Sequence, residues 1–318
     1  MATQWLRRAR LLAACASMAA LAACGGGGST DSEIEPTRIV AFGDAFADVG
    51  QNGAKYTVND TNVNNWTQIV ALEFNLTVAP SSAGGQSYAT GNARVTAEPD
   101  AAGSTATATV SQQVDTFLAA GAPRSGDLVL VNAGTSDVIF QARSVIQGTI
   151  GADVATERAG RAGRALAAQV KRLVEAGARN VVVVGPYNLA VAPWATQSNQ
   201  ADLLEELSQE FNDQLKVALV DYGRTVLYVD AALHFNLVSS LPGAYGLEED
   251  IVPACTSIDP GPGIGTGTNQ VNSNRCTPAT VRAGADYERL LWADRVYPTP
   301  VGQRLFGEYA TERIRNRW

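Results

Sequence analysis

Arg38-Ile39-Val40-Ala41-Phe42-Gly43-Asp44 sets the fold. Its apolar, partly β-branched middle ends on a Gly-Asp pair, the form of a short buried strand that runs into a turn. Three later runs repeat it: Asp127 to Asn132 before Ala133-Gly134, Asn180 to Val184 before Gly185-Pro186, and Thr225 to Val229 before Asp230. Between them the apolar spacing changes to that of helices. Leu166, Val170, Leu173 and Val174 mark one face over 162–176, with Gly177 as the stop. Leu204, Leu207, Phe211, Leu215 and Leu219 mark another over 203–219, and a closing helix is expected over 305–314. Strands that alternate with helices predict an α/β fold, a three-layer α/β/α sandwich with a central parallel sheet. In such sheets ligands sit outside the carboxyl ends of the strands, here Gly43-Asp44-Ala45, Gly134-Thr135-Ser136-Asp137 and Gly185-Pro186. No repeat and no second domain is legible, so 38–318 reads as one domain.

Charge narrows the partners. The chain of 318 residues carries a formal net charge of −7, and residues 1–23 contain Arg7, Arg8 and Arg10 but no acid. Without that segment 21 basic residues face 31 acidic ones, a net of −10. An acidic chain is repelled by phosphate backbones, so nucleic acid is not an expected partner. His234 is the one histidine, which excludes a multi-histidine metal site. Cys15, Cys24, Cys255 and Cys276 lack zinc-type spacing. Neither a metal nor a cofactor is expected.

The three arginines precede an alanine-rich apolar run from Leu11 to Ala23, the pattern of an export signal. It ends Leu21-Ala22-Ala23-Cys24, which resembles a bacterial lipobox. That resemblance implies a lipoprotein signal peptide over 1–23, an acylated Cys24, a membrane partner reached through the lipid anchor, and outer-membrane sorting because Gly25 rather than aspartate follows. The protein would then face the periplasm or the cell surface. An ordinary signal peptide with a chance cysteine is the alternative. The Gly- and Ser-rich stretch after Cys24 reads as a flexible tether over 24–37. Export leaves Cys255 and Cys276 as the pair available for a disulfide in an oxidising space. Closing that loop contributes roughly 3 kcal/mol by loop entropy; two free buried thiols are the alternative.

Four blocks, in order, resemble the GDSL (Ser-Gly-Asn-His) ester hydrolases. Val40-Ala41-Phe42-Gly43-Asp44-Ala45-Phe46-Ala47-Asp48-Val49-Gly50 is similar to the family's F-G-D-S-x-x-D-x-G. Ser87-Tyr88-Ala89-Thr90-Gly91-Asn92-Ala93 is similar to N-Y-A-x-G-G-A, and Gly134-Thr135-Ser136-Asp137 to G-x-N-D. Trp292-Ala293-Asp294-Arg295-Val296-Tyr297-Pro298-Thr299 is similar to W-D-x-x-H-P-T. Weaker likeness appears at Trp66-Thr67-Gln68, Ala176 to Arg179 and Phe211-Asn212. The resemblance covers about residues 38–318. It implies an SGNH-hydrolase-like, flavodoxin-like domain and a lipase or acylhydrolase type of activity.

The departures fall on the chemistry. Ala45 stands at the nucleophile position, Ser136 at the oxyanion-hole asparagine and Tyr297 at the histidine base, while Gly91 and Asp294 match the family's oxyanion glycine and acid. Alanine has no oxygen to attack a carbonyl, and a tyrosine of pKa about 10 is a poor base at neutral pH. The expected protein is therefore a non-catalytic ligand-binding relative. Ala45, Gly91 and Ser136 would offer donors to an ester, acyl or carboxylate group. The alternative is an active esterase or lipase with relocated or residual catalysis, for which His234 would need an acid and a nucleophile beside it; otherwise it reads as a surface or helix-start histidine. Asp44 and Asp48 read as a turn aspartate and a helix cap, with a catalytic carboxylate pair as the alternative. Mass spectrometry of protein from the native host is expected to find a mature chain that starts at an acylated Cys24; an intact residue 1 or an unmodified Cys24 contradicts the lipobox.

Overall fold

The structure, a computed structural model, describes residues 34–249 and 251–318. The signal, Cys24 and the glycine run lie outside the described residues. The packed chain begins sooner than the tether boundary at residue 37 implies. Ile34 is buried in the core, and the Thr37 N–H donates to the Gly126 carbonyl at 2.8 Å. One apolar residue suffices to dock a segment that its flanking polar residues mark as a linker.

The elements are β1 (Arg38–Gly43), α1 (Trp66–Glu73), α2 (Val110–Ala120), β2 (Asp127–Asn132), α3 (Thr135–Ile146), α4 (Ala152–Glu175), β3 (Asn180–Val184), α5 (Pro193–Ser198), α6 (Ala201–Ala218), β4 (Val226–Tyr228), α7 (Ala231–Ser240), β5 (Ile258–Asp259), β6 (Gln270–Val271) and α8 (Pro300–Arg317). β1 to β4 form a parallel sheet in sequential order, in the register Val40–Val129, Val129–Val181 and Val181–Val226. Each strand is an uninterrupted apolar run because helices cover both faces of the sheet. α1 packs on α8 in one layer; α3, α4 and α6 pack together in the other. This is the expected three-layer α/β/α architecture. Two-stranded antiparallel β5–β6 stands apart, within the long segment before Asp294. Among the described residues no helix is long and apolar enough to cross a membrane.

Residues 86–90 run beside β1 without forming a full strand. The Ala41 N–H donates to the Gln86 carbonyl, the Tyr88 N–H to Ala41 and the Thr90 N–H to Gly43, at 2.9, 2.7 and 3.0 Å. This carries Gly91 to the carboxyl edge of the sheet.

α4 starts ten residues before its apolar spacing announces it. The early face is Ala155, Ala159, Gly160 and Gly163, all buried. Small side chains leave no strong amphipathic signal, yet they let α6 approach closely. A Cβ on Gly163 would stand 2.2 Å from the Phe211 carbonyl oxygen, whereas one on Gly160 would meet the mobile end of Glu210 at 2.5 Å. Gly163→Ala is therefore expected to destabilise by about 1–3 kcal/mol through overpacking against backbone. Gly160→Ala should cost less than ~1 kcal/mol, since the glutamate can swing away and alanine favours helix. Urea midpoints at constant m-value check both.

Candidate active site

β1 ends where only glycine fits. Gly43 has φ +148°, and a Cβ there would lie 1.8 Å from the Asn132 carbonyl oxygen of β2. The buried Gln113 amide brackets this glycine, accepting its N–H at 2.8 Å and donating to its carbonyl at 2.9 Å. The chain then turns over the sheet edge, and Asp44 joins two of the sequence blocks. One carboxylate oxygen accepts the Phe46 N–H at 3.2 Å; the other accepts the Ser136 N–H at the start of α3, also at 3.2 Å. Burial pushes this carboxyl up to about 7, against the pull of those two N–H groups.

Asp48 is not a helix cap, because no helix follows it. Its Oδ1 accepts the Gly50 and Gln51 N–H groups at 2.8 and 2.7 Å, closing a turn. Its Oδ2 accepts the Gly91 N–H at 2.8 Å. The expectation that this N–H is free to hold a carbonyl is therefore not met: Asp48 occupies it. Burial raises the Asp48 carboxyl to about 6.

Ala45, Ser136, Asp294 and Tyr297 are all at most 1% exposed. Asp137, next to Ser136, ties the second block to α3 by accepting from Arg94 Nε at 3.1 Å and from the Val95 N–H at 2.9 Å. The Ser136 hydroxyl and the Tyr297 hydroxyl have no hydrogen-bond partner among the described residues. Asp294 does not orient the Tyr297 phenol. Its Oδ1 accepts the Val296 and Tyr297 backbone N–H groups at 2.8 and 2.7 Å, and its Oδ2 the Ser273 N–H at 2.9 Å. It acts here as a loop brace. Burial, then the nearby Asp44 charge, drives the Tyr297 phenol far above its ordinary value, so no phenolate base forms near neutral pH.

A residue the sequence reading missed closes the site. The Tyr56 ring meets the Tyr297 ring edge-on at 5.3 Å, and its hydroxyl lies 2.0 Å from where a Cβ on Gly91 would be. Tyr56 belongs to a loop with no periodicity, and nothing in the sequence marks it. Tyr56 thus touches Tyr297 and crowds Gly91, while Asp44 separately ties the turn after β1 to Ser136. Asp48 links the turn after Ala45 to Gly91, and the Asp44 charge acts on the Tyr297 phenol.

His234 is buried on α7, not on the surface. It stacks on Tyr309 at 4.8 Å and meets Phe306 and Tyr245 edge-on. Burial lowers its pKa to about 4, and its Nε2 has no partner among the described residues. Among the described residues no carboxylate or hydroxyl is bonded to it that would make a second triad. Cys255 and Cys276 form a disulfide, with Cα atoms 5.9 Å apart.

The buried acids give the protein a pH signature. A carboxyl whose folded pKa is raised holds a proton that the unfolded chain releases near pH 4. Its stabilising contribution is complete below that and is lost as pH rises through about 6 for Asp48 and about 7 for Asp44. His234, buried neutral, acts in the opposite sense between its ordinary value of 6.5 and about 4. Asp44→Asn isolates one share: between pH 5 and 8 the unfolding free energy of the unsubstituted protein is expected to fall relative to that of the variant. Urea titrations across that range measure it, and a constant difference would mean that Asp44 ionises as it does in water.

Comparison with known proteins agrees with the four blocks. Residues 39–310 match the model of the GDSL-like lipase/acylhydrolase family. A curated Pseudomonas putida protein, described as an uncharacterized protein in the trpE-trpG intergenic region, is 26% identical over 314 residues, covering 88% of this chain and 49% of that protein. The chain thus spans about half the length of this relative. A crystal structure of a lipolytic G-D-S-L family member from Veillonella parvula aligns at 12% identity and TM-score 0.47, covering 86% of this chain and 96% of that one. A second crystal structure aligns at 13% identity and TM-score 0.48, covering 88% and 97%. With a family match across most of its length, this chain belongs to the GDSL-like lipase/acylhydrolase family.

Proposed function

We propose that this protein is a GDSL-family member that does not hydrolyse esters: a pseudoenzyme, held at the outer membrane through an acylated Cys24. The observation that carries the reading is the closed site, with Ala45 and Ser136 buried and the rings of Tyr56 and Tyr297 in contact beside Gly91. An acyl-enzyme needs an oxygen at position 45, and its hydrolysis needs a base with a pKa near 7. Neither is present. In a triad hydrolase, loss of the nucleophile or the base alone removes roughly six orders of magnitude in kcat.

The geometry also narrows the binding role. Of the three groups expected to receive an ester, acyl or carboxylate ligand, Gly91 already donates to Asp48, and Ala45 and Ser136 are out of reach of solvent. Closure favours a protein whose family site is shut rather than one that displays it as a receptor. Catalysis relocated to His234 finds no support in its aromatic surroundings.

The unmodified protein is expected to give no turnover of short-chain aryl esters and no fluorophosphonate adduct at position 45. Ala45→Ser alone should restore little, since the base is still missing. Ala45→Ser, Ser136→Asn and Tyr297→His together should give measurable turnover. Robust hydrolysis by the unmodified chain that disappears on changing His234 would overturn the reading.

A further inference from the structure

The segment that carries Tyr56 owes its place to a small, separate part of the molecule. Val58 belongs not to the main core but to a satellite cluster with Cys255, Cys276 and Ala293. Polar ties join the same pieces. The Asn59 N–H donates to the Cys276 carbonyl at 2.9 Å, and its side-chain amide donates to the Cys276 and Ser273 carbonyls at 3.2 and 3.3 Å. The Asn274 side chain donates to the Ala54 carbonyl at 2.9 Å. On the other side of the disulfide, the Cys255 N–H donates to the Ala293 carbonyl at 3.0 Å, next to Asp294, and Asp294 accepts the Ser273 N–H at 2.9 Å. The Tyr56 loop is thus fastened at Ala54 and Asn59 to a stretch, 273–276, whose own anchors are Asp294 and the disulfide.

We propose that residues 54–60 form a plug on the closed site, locked by the Cys255–Cys276 disulfide, and that reduction by a small dithiol releases it. A satellite cluster with few apolar members is a unit of low local stability, and half of this one is the disulfide itself. Cys255 lines a surface groove of about 290 Å³ with Pro253, Ile258 and Val271, which gives a small reductant an approach from outside. A thiolate of the dithiol attacks the Cys255 sulfur. The S–S bond breaks and Cys276 leaves as a thiolate that takes up a proton. The second thiol of the reductant then displaces Cys255, so two protein thiols form as the dithiol closes to a disulfide. The main core contains β1 to β4 and neither cysteine, so it stays folded while 273–276 loosens, Asn59 loses its acceptors and Tyr56 leaves Gly91. This rests on the closed-site reading only for what the plug covers.

Hydrogen exchange read by mass spectrometry tests the lock on the whole protein, oxidised and after dithiothreitol, with the gain of two hydrogens verified by intact mass. Amides in 54–60 and 271–277 are expected to exchange about tenfold or more faster after reduction, while β1 to β4 are unchanged. Asn59→Ala should speed exchange in 54–60 with the disulfide intact, and Cys255→Ser with Cys276→Ser should reproduce the reduced pattern. Unchanged exchange of 54–60 in fully reduced protein overturns the proposal. So does acceleration spread evenly through β1 to β4, which would make the disulfide a global brace. Aryl-ester turnover measured on the same samples reports on catalysis separately: turnover by the oxidised protein overturns the non-hydrolytic reading and leaves the exchange result standing.

Discussion

The carboxylate of Asp44 holds the carboxyl edge of the sheet together. It sits one residue past Gly43, at a point where β1 and β2 approach so closely that no side chain fits between them. Its two oxygens bind the turn after β1 and the first turn of α3, 92 residues later in the chain. A buried carboxyl is costly to ionise, and here two backbone N–H groups repay part of that cost. Every other contact of the site is measured from this junction. Ala45 is placed by the turn, Ser136 by the helix start, and Asp137 by the same helix so that it can bind Arg94 and draw in the loop of Gly91.

Around that polar junction the molecule is packed with aromatic rings. Phe46 contacts Trp66, Tyr187, Phe235 and Phe306, and Tyr56 and Tyr297 form a separate ring pair, Tyr56 lying against Gly91. Aromatic pairs bury large areas at low entropic cost, so this filling is favourable. The hydroxyls of Ser136 and Tyr297 are buried without a partner among the described residues, a cost of roughly 1–3 kcal/mol each where no water reaches them. Two carboxylates that match the family's pattern are engaged as braces. Asp48 caps a turn and occupies the Gly91 N–H, and Asp294 pins the Ser273 segment and its own loop. Their hydrogen bonds explain why these acids suit a chain that lacks the serine and histidine.

The residues that leave the sheet and return before α8 form a second tier of organisation. Antiparallel β5–β6, the disulfide and the satellite cluster make a cap that depends on few apolar contacts. A covalent link is an economical device for such a region, since it restrains the unfolded chain where packing is sparse.

The sequence by itself determined the four sheet strands, because buried parallel strands need uninterrupted apolar runs and those runs end at glycine or aspartate. It also determined that Ala45, Gly91, Ser136, Asp294 and Tyr297 belong to one motif set, since their blocks follow a family's order. Helix beginnings were less legible. α4 opens on alanine and glycine, whose small side chains pack without an amphipathic signature, and α7 places His234 inward among rings that lie far away in sequence. Only the tertiary structure decided what the motif positions touch. Tyr56 reaches Gly91 from a loop without periodicity, Asp48 finds the Gly91 N–H 43 residues away, and Asp294 turns to Ser273 rather than to Tyr297's phenol. Periodicity reports which face of an element is buried, whereas a contact between loops is fixed by how distant elements pack, and single-residue patterns carry no trace of that distance.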